Sequence, residues 1–260
     1  MTWLESLPIF GTGVIVVGGF LVLTLGIGWL IDVLFPHEVR VEHNDLAGFI
    51  LAVIGVVYAV LLAFVAVSVW ERFNQAEARA YDEASSLAIV YRDVGNFPQQ
   101  TTALRASLTR YVSLVVRREW PAMQRGEQSE EANLLIERID RSIRGLPVGT
   151  MAQADVHQQM LAAMNEALTD RETRLSMDAT GIDGVMWLVL LIGAVVTVGF
   201  TYLFGFRHEA MRYVMTGSLG VLIGLVLFLT VALDYPFRGG VVVPPEALLK
   251  ALETFRVVGS

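Results

Sequence analysis

The stretch "AFVAVSVWERFNQAEARAYDEASSLAIVYRDV", Ala63 to Val94, begins as a sequence for hydrocarbon and ends as one for water, with no Gly or Pro between the halves. An unbroken helix from Val56 to Val94 would be roughly 58 Å long at 1.5 Å per residue, about twice the hydrocarbon thickness of a bilayer. The segment therefore reads as a membrane span that continues into water as a stalk. Alternate steps of three and four residues pick out one face: Ala52, Val56, Ala59, Ala63, Ala66, Trp70, Phe73, Glu77, Ala80, Ala84, Leu87, Tyr91 and Val94. Small residues on its membrane half suit close helix contact in lipid, and larger ones beyond Trp70 suit a heptad seam in water. Trp70 itself fits the interfacial aromatic belt. Glu77 is the acid on this seam. Either its carboxylate reaches the seam's edge, or it faces symmetry mates around an axis, where a ring of acids concentrates cations.

Outward from this stretch the chain repeats the membrane signal. Of 260 residues, 54% are apolar and 17% charged, and the mean hydropathy is +0.55. Apolar blocks long enough to cross a bilayer lie at 9–35, 46–70, 185–206 and 213–233. No basic residue precedes the first block and no small-residue cleavage pattern follows it, so it reads as a span rather than a signal peptide. The fold class expected is an all-α membrane protein, with four transmembrane helices and a helical, stalk-like extramembrane domain between the second and third. The domain boundaries expected are a transmembrane hairpin at 1–70, a helical extramembrane domain at 71–184, a second hairpin at 185–234, and a tail with a short amphipathic helix at 235–260.

Inside the extramembrane region, Leu104, Leu108, Tyr111 and Val115 recur at helical spacing after the turn at Pro98. Ser129 followed by Glu130 and Glu131 reads as a helix N-cap with acids in the first turn, and Gly145 as that helix's end. A further helix, from about Met151 to Thr180, directs Met160, Met164, Leu168 and Leu175 inward. In the fourth span, Gly217, Gly220 and Gly224 make a small-residue face for packing against another helix.

Composition excludes several functions. A net charge of −7 offers no basic face for phosphates, so nucleic acid is not an expected partner. The absence of Cys removes disulfides, thiolate metal sites and a Cys nucleophile. His37, Glu38, Glu42, His43 and Asp45 crowd one loop, but their spacing matches no metal signature, and no metal site or cofactor is expected there. No nucleophile motif, phosphate-cradling Gly loop or HExxH pattern occurs, and an enzyme is not expected. No ionisable residue lies near the middle of any span, which disfavours a pump coupled to protons or ions.

A passive pore needs no such group, since apolar constrictions gate by dewetting. Beside the seam, Gly55, Tyr58, Leu62 and Val65 step by three and four and are expected to line an axis if copies surround one. Leu62 and Val65 would form the gate and Tyr58 the polar handle. Glu71 and Glu77 would form an acidic vestibule at the water end, tolerant of cations. Near the membrane ends the domain side carries Arg72, Arg79, Arg171, Arg174, Arg238 and Lys250 against Arg40, Arg207 and Arg212 opposite, which favours a cytoplasmic domain.

The segments "HNDLAGFILAVIGVVYAVLLAFVAVSVWERFNQAEA" from His43, "EASSLAIVYR" from Glu83, "MWLVLLIGAVVTVGFTYLFG" from Met186 and "LDYPFRGGVVVPPEAL" from Leu233 carry a resemblance. Together they resemble the bestrophin-like family of bacterial membrane proteins. The resemblance implies a multi-pass protein of the bacterial inner membrane, assembled from copies of itself, with the pentamer of bestrophins as the candidate stoichiometry and the second span lining an ion pore. It marks His43, Asn44, Gly48, Gly55, Tyr58, Trp70, Glu71, Glu83 and Asp234 as family positions without an assigned role. Bestrophins carry a Pro-Phe pore neck, whereas the second span here has no Pro. The expected function is a homo-oligomeric passive channel whose partners are the lipid bilayer, further copies and inorganic ions. The alternative is a non-conducting scaffold or sensor whose helical domain engages partners.

Overall fold

A computed structural model describes residues 9–34, 44–203 and 209–259. Among these residues the architecture is helical throughout, with no strand. The helices are α1 (Ile9–Leu34), α2 (Asn44–Asp93), α3 (Thr101–Leu114), α4 (Trp120–Met123), α5 (Glu130–Arg144), α6 (Met151–Ala179), α7 (Gly184–Thr201), α8 (Glu209–Leu233) and α9 (Glu246–Gly259). A 3-10 turn at Val94–Asn96 follows α2, and a π-helical turn at Val115–Glu119 joins α3 to α4. The chain divides into two units, Met1–Glu71 with Gly181–Asp234, and Arg72–Thr180 with Tyr235–Ser260. Among the described residues four helices are long and apolar enough to cross a membrane, at Ile9–Ile31, Gly48–Asn96, Gly184–Thr201 and Ala210–Leu233.

In the membrane unit, α1 lies along α8 because small residues let the two backbones approach. A Cβ on Gly224 would stand 3.2 Å from the Cα of Val17, and one on Gly220 would stand 2.7 Å from the hydroxyl of Thr24. Close approach of this kind supplies the van der Waals contact that replaces the hydrophobic effect in lipid. The unit's core is formed by Phe20 of α1, Tyr58, Leu62 and Val65 of α2, Leu190, Ala194 and Val198 of α7, and Ile223 and Leu227 of α8.

The extramembrane unit is a bundle of α3, α5, α6 and the water-side part of α2, capped by α9. Its helix ends follow ordinary capping chemistry. The Ser129 hydroxyl accepts from the Ala132 amide at 3.3 Å, and Gly145 terminates α5. The Thr150 hydroxyl accepts from the Gln153 amide at 3.1 Å to open α6. Leu104, Leu108, Tyr111 and Val115 all point inward, as do Met160, Met164 and Leu175. The C-terminal residues are part of this bundle rather than a separate tail. Phe255 of α9 stacks on Tyr91 with ring centroids 4.0 Å apart and an interplanar angle of 4°.

The long α2 departs from the expected seam. Ala80, Ala84, Leu87, Tyr91 and Val94 are buried, but by the chain's own helices, so that half of the seam closes a bundle core and not a coiled coil between copies. On the membrane half the buried edge is Tyr58, Leu62, Val65 and Val69, one position away from the Ala-rich line. Ala52, Val56, Ala59, Ala63 and Trp70 stay exposed. The reason is the partner helix. Where α2 meets α7, the smallest surface belongs to α7, at Gly193 and Ala194, and the larger α2 residues fill it.

Candidate functional site

Two places bring together the residues that sequence singled out. The first is α2 against α7 in the membrane unit. Tyr58 is buried there. Its ring lies where a Cβ on Gly193 would approach to 2.5 Å, and its hydroxyl donates to the Leu190 carbonyl at 3.0 Å. A helical carbonyl accepts a second hydrogen bond readily, so the polar end of Tyr58 is satisfied within the chain. Leu62 and Val65, 7% and 4% exposed, pack in the same core, and Gly55 is half-buried. These side chains were expected to face an axis. On the single chain Tyr58, Leu62 and Val65 are buried among the chain's own helices.

The opposite side of α2 is open. Val53, Val57, Val60, Phe64 and Val67 step by four and three along it, with exposures of 49% to 72% from Val60 to Phe64. Glu71 continues the same line at its water end and is exposed. Ala52, Ala59 and Ala63 flank the line on one side. Glu77 is half-buried. Among the other family positions, Gly48 is half-buried and Trp70 exposed, while Asn44 opens α2. His37 and His43 lie outside the described residues, and among the described ones no group of three or more His, Asp or Glu is placed to hold a metal. Asp234 has a structural task. Its carboxylate accepts from the Ile182 amide at 2.6 Å, fastening the end of α8 to the loop that opens α7.

The second place is a charge cluster in the interior of the extramembrane unit, built around Glu83. Arg174 of α6 is fully buried and donates from Nε to Glu83 Oε2 at 2.7 Å and from Nη2 to Glu119 Oε1 at 2.8 Å. Its third nitrogen, Nη1, reaches the Met123 sulfur at 2.9 Å, and its guanidinium carbon lies 4.8 Å from the centre of the Trp120 ring. Arg171 donates to the other Glu119 oxygen at 2.5 Å, and the Tyr111 hydroxyl donates to Glu83 Oε1 at 3.0 Å. Two buried acids thus face two buried bases. At the rim, Arg79 pairs with Asp170 at 3.0 Å and Arg238 with Asp178 at 3.0 Å.

Burial alone would pull the Arg174 guanidinium downward, but Glu83 and Glu119 more than reverse this and hold its pKa above the usual range. Burial pushes the Tyr111 hydroxyl well up, and the Glu83 carboxylate pushes it further, so Tyr111 stays a neutral donor. Burial likewise raises Asp178, against the pull of Arg238 and Arg174. The π turn is what admits Glu119. At 100° per residue an α-helix cannot keep Glu119, Trp120 and Met123 all on the face of Tyr111. The wider turn at 115–119 retards the helix by about one position, and all three are buried. Both buried carboxylates are paired with buried guanidiniums, so the cluster ties α6 to α2 and to the π turn.

The sequence reading named Glu83 but missed its partners. A signal was present: the inward register of α6 through Met160, Met164 and Ala167 continues onto Arg171, Arg174 and Asp178. Charges at inward positions of a water-side helix predict partners on the facing helices.

Comparison with known proteins agrees with this architecture. The sequence model of the bestrophin-like domain matches residues 18–248. No curated protein matches. Among solved structures, a bacterial bestrophin homologue from Klebsiella pneumoniae superposes with a TM-score of 0.62 at 15% identity, covering 92% of this chain and 97% of that one. A point variant of that homologue gives 0.65 at 12% identity, covering 93% and 98%. At such identities the likeness is one of fold. The family match spans most of the chain, and with four spans, the open second helix and the helical extramembrane bundle it shows that this chain belongs to the bestrophin-like family.

Proposed function

We propose that the protein is a homo-oligomeric, passive ion channel of the inner membrane. Its second span, α2, faces the central axis, and its helical domain is cytoplasmic. The observation that carries this reading is the division of α2 into a buried edge and an open face. In lipid, small residues are enriched where helices meet. Ala52, Ala59 and Ala63 on the open face therefore suit contact with the next copy. The adjacent line of Val53, Val57, Val60, Phe64 and Val67 then falls toward the axis, an apolar constriction of the kind that gates by dewetting. This line takes the place of Gly55, Tyr58, Leu62 and Val65 as the pore lining. Copies of Glu71 ring the water end, and Glu77 lies about two turns further on.

A ring of carboxylates raises local cation concentration. Flux from liposomes holding the purified oligomer is the test, with wild type and Glu71→Gln compared in potassium and in chloride gradients. Wild type is expected to conduct and to pass cations, and Glu71→Gln to lower the cation share severalfold. Absence of flux from a correctly assembled oligomer would overturn the channel reading in favour of a non-conducting scaffold.

A further inference from the structure

The extramembrane bundle carries two seams of opposite charge on non-adjacent edges. Around its perimeter, α2 meets α6 through Arg79–Asp170 and Glu83–Arg174, α6 meets α5, α5 meets α3, and α3 returns to α2 through Tyr111–Glu83. The α2/α6 seam and the α3/α5 seam are thus opposite sides of a four-helix arrangement.

The α2/α6 seam holds an open groove of about 500 Å³. Its charged lining is Asp82, Glu166 and Asp170 against Arg79, three carboxylates to one guanidinium, and Ser85 and Asn165 add polar atoms that accept hydrogen bonds. Asp170 is held by Arg79 at 3.0 Å, Asp82, 57% exposed, lies 3.8 Å from the same guanidinium, and Glu166 is exposed too. The only bases on the neighbouring stretch of α6, Arg171 and Arg174, are turned inward.

The α3/α5 seam reverses the balance. Arg110, Arg117 and Arg118 stand exposed along α3 and its π turn, and Glu131 of α5 reaches both Arg110, at 3.6 Å, and Arg118, at 2.6 Å. Two guanidiniums share one carboxylate, and Arg117 has no partner among the described residues. Local pairing is complete in neither seam.

We propose that the two seams are the two halves of one subunit interface: the arginines of α3 and its π turn on one copy enter the α2/α6 groove of the next. The contact is heterologous, since each copy offers a different surface to either neighbour, and a heterologous contact whose rotation closes builds a ring. Charge complementarity sets the register of such a contact and suppresses wrong partners. Arg117 meets Glu166, and Arg118 exchanges part of its pairing with Glu131 for Asp82 of the neighbour. The proposal rests on the homo-oligomer of the channel reading and supplies the surface that reading lacks.

The natural absence of Cys allows a direct test in the full-length protein in detergent. Three preparations are oxidised and run under denaturing conditions: Glu166→Cys alone, Arg117→Cys alone, and chains carrying both. Native mass spectrometry before oxidation reports the oligomer. Neither single variant is expected to form covalent dimers. Chains with both cysteines are expected to give a ladder ending at the native stoichiometry, and mixing the single variants before assembly should give dimers. An intact oligomer with no cross-link in the double variant, or with dimers from either single variant, overturns the interface and leaves the oligomer standing. A monomer before oxidation overturns both. The more conservative exchange of Arg117→Glu with Glu166→Arg in one chain guards against a folding failure. Each change alone should weaken assembly at low salt by at least tenfold in dissociation constant, and the pair should restore it. Failure of the pair to restore it counts against the proposal.

Discussion

Arg174→Met is expected to destabilise the extramembrane bundle by roughly 3–5 kcal/mol, the range found when one partner of a buried ion pair is removed. The substitution keeps much of the volume but leaves Glu83 without a cation and Glu119 with Arg171 alone, both carboxylates being almost fully buried. It also removes the guanidinium from the Trp120 ring. For a unit of this size the loss corresponds to a fall in melting temperature of roughly 10 °C or more. Thermal unfolding of the detergent-solubilised protein measures it. Arg110→Met serves as the control, since that arginine is 71% exposed and its pair with Glu131 is long, 3.6 Å. Exposed pairs contribute at most about 1 kcal/mol. Equal melting temperatures for the two variants would mean that the buried cluster does not hold the bundle together.

Phe64→Ala is expected to raise ion leak on the order of tenfold, which corresponds to about 1.4 kcal/mol off the barrier. Phe64 is the bulkiest side chain on the open line of α2 and is 72% exposed on the single chain. Removing it widens an apolar constriction and makes wetting easier. Leu62→Ala, two positions away, is expected to act differently. Leu62 is packed against α7 inside the subunit, so its truncation leaves a cavity and loosens the bundle without opening a path along the axis. Liposome leak and thermal stability, measured on both variants, separate the two effects. A rise in leak with Leu62→Ala alone would place the pore on the Tyr58 edge instead.

Much of the fold could be read from the chain because its signals are long and one-dimensional. Four apolar blocks, the absence of a breaker between Ala63 and Val94, and the caps at Ser129 and Gly145 each depend on local chemistry, and the structure carries them. The face of α2 was harder, because two lines with the same three-and-four spacing run side by side. Which of them is buried depends on α7, where Gly193 and Ala194 leave the space that Tyr58 and Leu62 fill. Periodicity identifies a stripe but not the surface it meets. The buried charges were hidden for a related reason. Glu83, Glu119 and Arg174 are separated by tens of residues, and Glu119 reaches the cluster only through a π turn that departs from α-helical spacing. The inward register of α6 was the clue available, and it indicated Arg171 and Arg174 without naming their partners.

The claim on which the account turns is that the open Val53 to Glu71 line of α2, and not the Tyr58 to Val65 edge, faces the conducting axis. In a chain with no natural Cys, single substitutions Val60→Cys, Val67→Cys and Leu62→Cys can be reconstituted in liposomes and treated with a charged, membrane-impermeant thiol reagent during flux measurement. The account predicts that the reagent alters flux severalfold at Val60 and Val67 and leaves it unchanged at Leu62. Modification that changes flux at Leu62 and not at Val60 or Val67 would contradict it.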